Sequence, residues 1–228
     1  MARLSAHRHL LLLAALLAVV ITQPLVARES IATRLAYDLA VAAAAIGVLF
    51  AVFGFHWERG VAAVLALPAI VLTFARYVLP QGAVTPYSVA FHVSAVLFLG
   101  FAVATIVRDI FRGRAISADA VLGAFAGYLL LGVAWGSLYA VVELLAPGSF
   151  SVAPEIRWQL DDWHLRRALF NYVSFATMAS LGYNDVTAAA PIANTLTWFE
   201  VMTAQFYLAV VIAQIVGLTL VKAKVDRG

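Results

Sequence analysis

The chain contains no cysteine and few charged residues. Of its 228 residues, 12% are charged and 64% are hydrophobic, and the mean hydropathy is +0.95. Without cysteine the chain forms no disulfide and no thiolate metal site, and so little polar surface cannot cover a soluble globule. The composition therefore predicts an all-α integral membrane protein in contact with membrane lipid. The net charge of +3 lies largely beside apolar runs, where it reports orientation rather than a nucleic-acid partner.

Apolar runs predict about six transmembrane helices. The first run follows Arg3 and Arg8, as a signal peptide would, but Leu25 to Ala27 is a poor cleavage site, so we expect a retained span. Residues 1–114 then form a four-helix N-terminal membrane domain, and residues 115–228 form a second domain. The predicted spans are Leu10 to Val26, Leu35 to Phe55, Val61 to Leu79, Tyr87 to Val107, Ala118 to Leu145 and Ile192 to Val221.

Basic residues flank alternate ends of these runs. If six helices alternate in direction, four basic groups fall on one side of the membrane, and the positive-inside rule makes that side the cytoplasm. Both termini are then cytoplasmic, in a bacterial-type inner membrane. The four groups are Arg3 with Arg8, Arg59, Arg108 to Arg114, and Lys222 to Arg227.

A polar segment, T-M-A-S-L-G-Y-N-D from Thr177 to Asp185, lies between the last two apolar runs. A dehydrated cation needs oxygens in place of its water shell, and four copies of a short extended backbone can supply them. Successive carbonyls face one way only if some residues are left-handed, which glycine permits freely and asparagine tolerates. Gly182 and Asn184 meet this need. Asp161 and Asp162 predict a helix start before the segment, and the C-terminus of that helix favours a cation.

This segment resembles the pore loop of the potassium channel family, whose usual core is T-x-T-T-V-G-Y-G-D. Aligned on Gly182 and Tyr183, the chain keeps Thr177 and Asp185. It has Ala179, Ser180, Leu181 and Asn184 where the family has two threonines, a valine and a glycine. The resemblance implies a pore helix over Trp163 to Met178, with Thr177 and Asp185 as support. The ion-binding residues that it implies are Ser180, Leu181, Gly182, Tyr183 and Asn184, the last shaping the mouth.

The last helix adds a second resemblance. Glu200 to Gly217 is similar to the inner helix of small bacterial potassium channels, E-x-x-x-G-Q-x-Y-L-A-V-x-x-A-R-x-V-G, although Ala204 replaces the hinge glycine and Gln214 the arginine. Helical spacing puts four side chains on one stripe, which we assign to the cavity and lower pore, with simple helix packing as an equal alternative. The stripe comprises Gln205, Leu208, Ile212 and Val216. Glu143 and Glu200 are expected to brace the pore segment by hydrogen bonds.

The resemblances imply a homotetrameric potassium channel that passes K⁺ through backbone carbonyls, without cofactor, catalytic residue or small-molecule substrate. No Arg or Lys lies between Tyr87 and Val107, whereas a voltage-sensing helix carries regularly spaced cations. We therefore expect weak voltage dependence. Three ionisable residues, Asp38, Arg76 and His92, have similar predicted depths, and a structural ion pair with a hydrogen-bonded histidine is favoured over a proton-sensing cluster.

Three other functions remain open. The replacement at Asn184 leaves room for a non-selective monovalent cation channel. The pairs Tyr37 with Asp38 and Gly182 to Asp185 echo the Y-D and G-x-G-D motifs of intramembrane aspartyl proteases, although the glycine before the second aspartate is missing. A non-conducting membrane scaffold is the third.

Overall fold

The computed structural model describes residues 8–28, 30–78, 84–112, 118–182 and 185–225. This part of the chain is almost entirely helical, with seven α-helices and two short strands, so the predicted all-α class is confirmed. In chain order the elements are α1 (Arg8–Thr22), α2 (Ile31–Ala51), α3 (His56–Ala75), α4 (Val84–Arg112), α5 (Ala118–Leu145), β1 (Phe150–Val152), α6 (Trp163–Met178), β2 (Val186–Ala188) and α7 (Pro191–Val225).

Five of these helices are long and apolar enough to cross a membrane, namely α2, α3, α4, α5 and α7. At least half of the apolar segment of each of these helices is not buried inside the chain. The chain is therefore a membrane-embedded, multi-pass protein. Helix α5 has the predicted bounds, and the other four begin and end a few residues from their predicted limits. Apolar runs locate such helices well because the bilayer fixes the length of the run.

The first predicted span is not a full transmembrane helix. The α-helix that begins it has 15 residues and ends at Thr22, and a 3-10 helix, Gln23–Arg28, follows. Pro24 explains the change, because proline lacks a backbone donor and disfavours helical geometry in the residue before it. The Gln23 side chain instead donates to the carbonyl of Ala168 in α6, over 2.7 Å.

Contacts between helix ends show how the bundle is ordered. The start of α1 lies beside the start of α5, where the His9 Nδ1 and Asp119 Oδ2 atoms are 2.8 Å apart. The start of α3 lies beside the end of α4, where Arg108 donates to Glu58 over 2.7 Å. Helices α1 and α5 therefore run in the same direction, and α3 and α4 run in opposite directions.

One apolar core joins α1 to α5 and reaches the first turn of α6. It includes Leu16 of α1, Val48 of α2 and Phe98 of α4, together with Leu130 of α5 and Leu165 of α6. The core thus continues across residue 114, where the sequence predicts a division between two domains. A second cluster packs α5, α6 and the two strands.

Helices α5 and α6 approach each other closely because glycines line the contact. A Cβ atom at Gly136 would lie 2.6 Å from Asn171 Oδ1 and 2.9 Å from the Phe170 carbonyl oxygen. A second glycine, Gly132, faces the Phe175 ring one turn earlier. Any larger side chain on this face of α5 would push α6 away.

We expect Gly136→Ala to lower the free energy of unfolding by about 1–3 kcal/mol, because the added methyl overpacks the contact between α5 and α6. Gly100→Ala is the matched control. It lies in helix α4 with nothing within 4 Å of an added Cβ, and alanine suits a helix interior better than glycine. Thermal unfolding in detergent would measure both. Equal stability of the two variants would contradict the close approach.

Candidate functional site

Helix α6 is the centre of the candidate site, because it is a short helix buried inside the bundle. It has 16 residues, most of them buried, including His164, Arg166 and Arg167. A segment this short and polar does not span a membrane. A side-chain cap holds its N-terminus, and backbone hydrogen bonds close its C-terminus.

The N-terminus of α6 is capped by Asp162. The Asp162 Oδ1 atom accepts from the backbone N–H groups of His164 and Leu165, over 2.8 and 3.1 Å, and Arg34 of α2 lies 2.8 Å from Oδ2. Burial raises the pKa of Asp162, but these two amides and the Arg34 guanidinium outweigh it, so the pKa lies below its ordinary value. The carboxylate is therefore charged at neutral pH and favours the positive end of the helix dipole.

The C-terminus of α6 ends in a Schellman motif. The Ser180 N–H donates to the Thr177 carbonyl, and the Leu181 N–H donates to the Ala176 carbonyl, over 3.0 and 2.9 Å. Ser180 is left-handed at φ 55°, and Gly182 is left-handed at φ 68°. Such a motif requires one left-handed residue after the helix, and Ser180 is that residue. Left-handed geometry therefore occurs at alternate positions, of which the sequence predicted only Gly182.

The chain that leaves this turn is held by a two-stranded sheet. Tyr183 and Asn184, which the sequence assigns to the ion site, lie outside the described residues. Beyond them β2 pairs with β1 in antiparallel register, with Ser151 opposite Thr187. The Asp185 carbonyl accepts from the Ala153 N–H over 2.8 Å.

Glu143 fixes the loop that leads into β1. Its Oε1 atom accepts from the Gly148 N–H over 2.8 Å, and its Oε2 atom accepts from the Phe150 N–H over 3.0 Å. The Glu143 carboxylate thus holds the start of β1, the strand that pairs with β2. Whether these contacts brace a pore segment, as the sequence predicts for Glu143, stays a prediction.

Glu200 joins three helices at a buried point. Located on α7, it accepts hydrogen bonds from the Tyr139 hydroxyl of α5 and the Ser174 hydroxyl of α6. The Ser174 hydroxyl also lies 2.7 Å from the Gly132 carbonyl of α5. The carboxyl group is fully buried, so these hydrogen bonds replace the water that it would otherwise bind.

An ion-pair network ties α6 to the first half of the chain. Asp38 of α2 pairs with Arg76 at the end of α3 and accepts from the Tyr77 hydroxyl over 2.8 Å. The Asp38 Oδ2 atom also lies 3.2 Å from His164 Nε2, and Arg76 Nη1 lies 3.1 Å from His164 Nδ1. Arg76 Nη2 also lies 2.5 Å from His164 Nε2, so the imidazole contacts both members of the ion pair.

The predicted ion pair of Asp38 with Arg76 is present, whereas His92, the histidine predicted at the same depth, does not join this network. His92 has a similar predicted depth, but it stacks near Trp163, with ring centroids 6.2 Å apart. Its Nδ1 atom is buried without a hydrogen-bond partner among the described residues. Depth along a helix does not determine which side of the helix a residue faces. His164, and not His92, therefore contacts Asp38 and Arg76.

The predicted stripe on α7 faces outward in the single chain. Gln205, Ile212 and Val216 are exposed and Leu208 is half-buried, whereas Ala204 is buried against α5. Helix α7 is continuous through Ala204 over its 35 residues. An open groove of about 440 Å³ lies by the part of α7 that precedes the stripe, lined by Thr177, Ser180 and Gly182 together with residues of β2 and α7.

Four polar residues of α6 form a stripe that the sequence analysis did not use. His164, Arg167, Asn171 and Ser174 are spaced three, four and three residues apart, so they share one face of the helix, and all are buried. A polar stripe on a helix between two membrane spans is the sequence feature that indicates buried polar partners. Only their contacts in the fold identify those partners.

We expect Asp162→Ala to lower the free energy of unfolding by about 1 kcal/mol, since an N-cap is lost. For a chain of this size that is roughly 2–4 °C in the melting temperature. Because the pKa of Asp162 is lowered in the fold, its contribution is present near neutral pH and is lost as pH falls through that pKa. The difference between the unmodified protein and Asp162→Ala should therefore shrink in acid.

Asp161→Ala is the control, since Asp161 is the neighbour of Asp162 in sequence but is exposed and does not cap α6. Thermal unfolding at neutral and acidic pH measures both variants. A drop for Asp161→Ala as large as that for Asp162→Ala would show that the cap is not the cause.

Comparisons with known proteins do not identify a family or a function for this chain. The likeness to a pore loop therefore depends on the motif residues and on the arrangement of α5, α6, the turn and α7. No protein-family model matches the chain, and neither curated proteins nor solved structures give a match.

Proposed function

We propose that four copies of the chain form a potassium-selective pore. The observation that carries the proposal is the turn after α6, where a short buried helix ends in backbone that is left-handed at Ser180 and Gly182. This turn lies between two membrane-length helices, α5 and α7. That arrangement resembles a re-entrant pore helix followed by a selectivity filter.

Alternate left-handed residues favour an ion site made of backbone. In an ordinary extended strand, successive carbonyls point to opposite sides, as side chains do. Left-handed residues at alternate positions reverse every second peptide, which lets successive carbonyls face one side. Four such segments around an axis supply the oxygens that replace the hydration shell of K⁺.

The ion enters this site from a favourable electrostatic environment. The C-terminus of α6 meets the turn, and the C-terminal end of a helix carries about half a negative charge. No side-chain carboxylate is needed at the turn for this effect. Potassium is accordingly the permeant ion rather than a resident cofactor.

A single chain leaves this backbone incomplete. Irregular backbone inside a membrane is tolerated only where it lines water or is buried in protein, yet Ser180, Leu181 and Gly182 are exposed in one chain. Helix α7 is also the least buried of the five long helices, because other parts of the chain bury 17% of its most apolar segment. Neighbouring copies around a fourfold axis would cover both.

The first four helices lack the charges of a voltage sensor. Among the described residues of α4, the cations are Arg108 and Arg112 near its end, and Arg108 is paired with Glu58. Steep voltage dependence needs several charges moving through the field. The proposed pore is therefore not strongly voltage-gated. If α1 and the 3-10 helix after it cross the membrane together with the five long helices, alternating spans would place both termini in the cytoplasm of a bacterial-type inner membrane.

The aspartyl protease alternative is less consistent with the contacts. Its two aspartates must share a proton at close range, whereas Asp38 is fully buried with Arg76, Tyr77 and His164. No hydrogen bond in the described part of the chain links it to Asp185, whose carbonyl bonds to Ala153. A non-conducting scaffold would share this fold and is separated from a channel by ion flux.

We expect the purified protein to be a tetramer by native mass measurement. Because the chain lacks cysteine, single cysteines report contacts between copies cleanly. Ile212→Cys on the α7 stripe should form disulfide-linked dimers under oxidation. Val64→Cys, on an exposed face of α3, should not. A monomer or dimer that conducts ions would overturn the fourfold arrangement.

Reversal potentials in liposomes under potassium and sodium gradients test selectivity. We expect preference for potassium in the unmodified protein and in Asn184→Gly, because asparagine also tolerates left-handed geometry. Gly182→Ala should abolish conduction. Its added Cβ has open space in the single chain, so the penalty is the left-handed backbone.

Gly60→Ala is the matched control, since Gly60 lies in α3 with nothing within 4 Å of an added Cβ. It should conduct like the unmodified protein. Equal potassium and sodium permeability that Asn184→Gly makes potassium-selective would establish the non-selective channel instead. Absence of flux in all of these proteins would favour the scaffold.

A further inference from the structure

A narrow apolar cavity of about 80 Å³ lies among helices α1 to α5. Its lining extends from Val41 to Val48 on α2 and from Phe91 to Leu99 on α4. At 1.5 Å per helical residue, these ranges make a slot about 10–12 Å long, parallel to the helices. Small side chains in the alanine run of α2, including Ala44, leave this space.

Arg167 of α6 lines one end of the slot. Its guanidinium carbon lies 5.0 Å from the centre of the Phe91 ring and 5.2 Å from that of Tyr37, so it lies at the end of the slot where the Phe91 to Leu99 lining begins. The side chain is 6% exposed, and its Nη1 atom has no hydrogen-bond partner in the described part of the chain. None of the salt bridges among the described residues involves Arg167.

Other polar atoms without partners lie on residues that pack near this end of the slot. The Tyr37 hydroxyl, the His92 Nδ1 atom and the Trp163 Nε1 atom are all buried without hydrogen-bond partners among the described residues. The Trp163 ring lies 5.2 Å from the Phe91 ring, which Arg167 also contacts. A tyrosine hydroxyl, an indole N–H and a guanidinium are all donors. Buried donors without partners are rare in folded proteins, and their grouping around a buried cation indicates an anion.

We propose that the slot binds a single-chain amphiphilic carboxylate, with its carboxylate on Arg167 and its alkyl chain along α2 and α4. A buried cation without a counter-ion is costly in a membrane, and a carboxylate removes that cost. The slot is about 10–12 Å long, and its volume of about 80 Å³ leaves no room for two alkyl chains side by side.

The proposal is independent of ion conduction. The cavity is formed by α1 to α5 with Arg167 of α6, and its lining contains no residue of the turn from Ser180 to Gly182. Binding is therefore measured directly on the purified full-length protein. Failure of the channel proposal would leave this site unaffected.

Native mass spectrometry with decanoate and decanol, which have the same chain length, provides the test. Decanoate should bind once per chain and at least about tenfold more tightly than decanol, the factor expected for a hydrogen bond to a charged group. Equal binding of the two, or binding of neither, would overturn the proposal. Displacement of decanoate by an equal concentration of an anionic diacyl phospholipid would also overturn it, in favour of a phospholipid headgroup.

Two variants address the two ends of the slot. Arg167→Gln should weaken decanoate binding about tenfold or more, while Arg166→Gln should change it less than about twofold. Arg166 is the matched control because it donates to the Leu160 carbonyl over 2.8 Å and lies outside the slot. Ala44→Leu fills the slot and should weaken binding without altering the cation.

Thermal unfolding establishes that each variant is folded. If Arg167→Gln does not fold, the comparison of decanoate with decanol in the unmodified protein and in Ala44→Leu decides the proposal. Equal effects of Arg167→Gln and Arg166→Gln, or no effect of Ala44→Leu, would contradict it.

Discussion

The structure depends on the burial of a polar helix in an apolar bundle. Buried polar groups are costly unless they find partners, and the membrane offers no water to replace them. The neighbours of α6 supply those partners from several directions. Asp38 and Arg76 meet His164, Ser88 of α4 meets Arg166, and Glu200 meets Ser174. Helices distant in sequence are thereby held at fixed positions around α6.

The position of α6 in turn determines the turn that follows it. Gly132 and Gly136 of α5 admit the helix closely, and Glu200 anchors its C-terminal half to α7. The Schellman motif then directs the chain away from the helix at Ser180, and the pairing of β1 with β2 receives it after residue 184. A short backbone segment fixed at both ends keeps its carbonyl geometry without side-chain ligands, which is what the proposed cation site requires.

Local features of the sequence predicted most of the helices. The bounds of α5 and α6 follow from the apolar run and from the aspartates before Trp163, because bilayer thickness and N-capping act on neighbouring residues. Contacts between distant segments were not predictable in this way. His164 in place of His92, the left-handed Ser180 and the partners of Glu200 all depend on how helices are rotated against one another. The early end of α1 at Thr22 was a local feature, because Pro24 was visible in the sequence.

The contacts show that the first four helices position α6, which their sequence alone did not predict. They carry no ladder of gating charges, yet α2 and α3 hold the start of α6 through Asp38 and Arg76. The same helices enclose the slot that ends at Arg167. His164 and Arg167 lie on one face of α6, the first in contact with the ion pair of Asp38 and Arg76 and the second without a counter-ion among the described residues. A ligand that pairs with Arg167 would therefore act on the helix that leads directly to the turn at Ser180. Such coupling needs no moving charge, because α6 itself is the connection between the N-terminal helices and the proposed ion site.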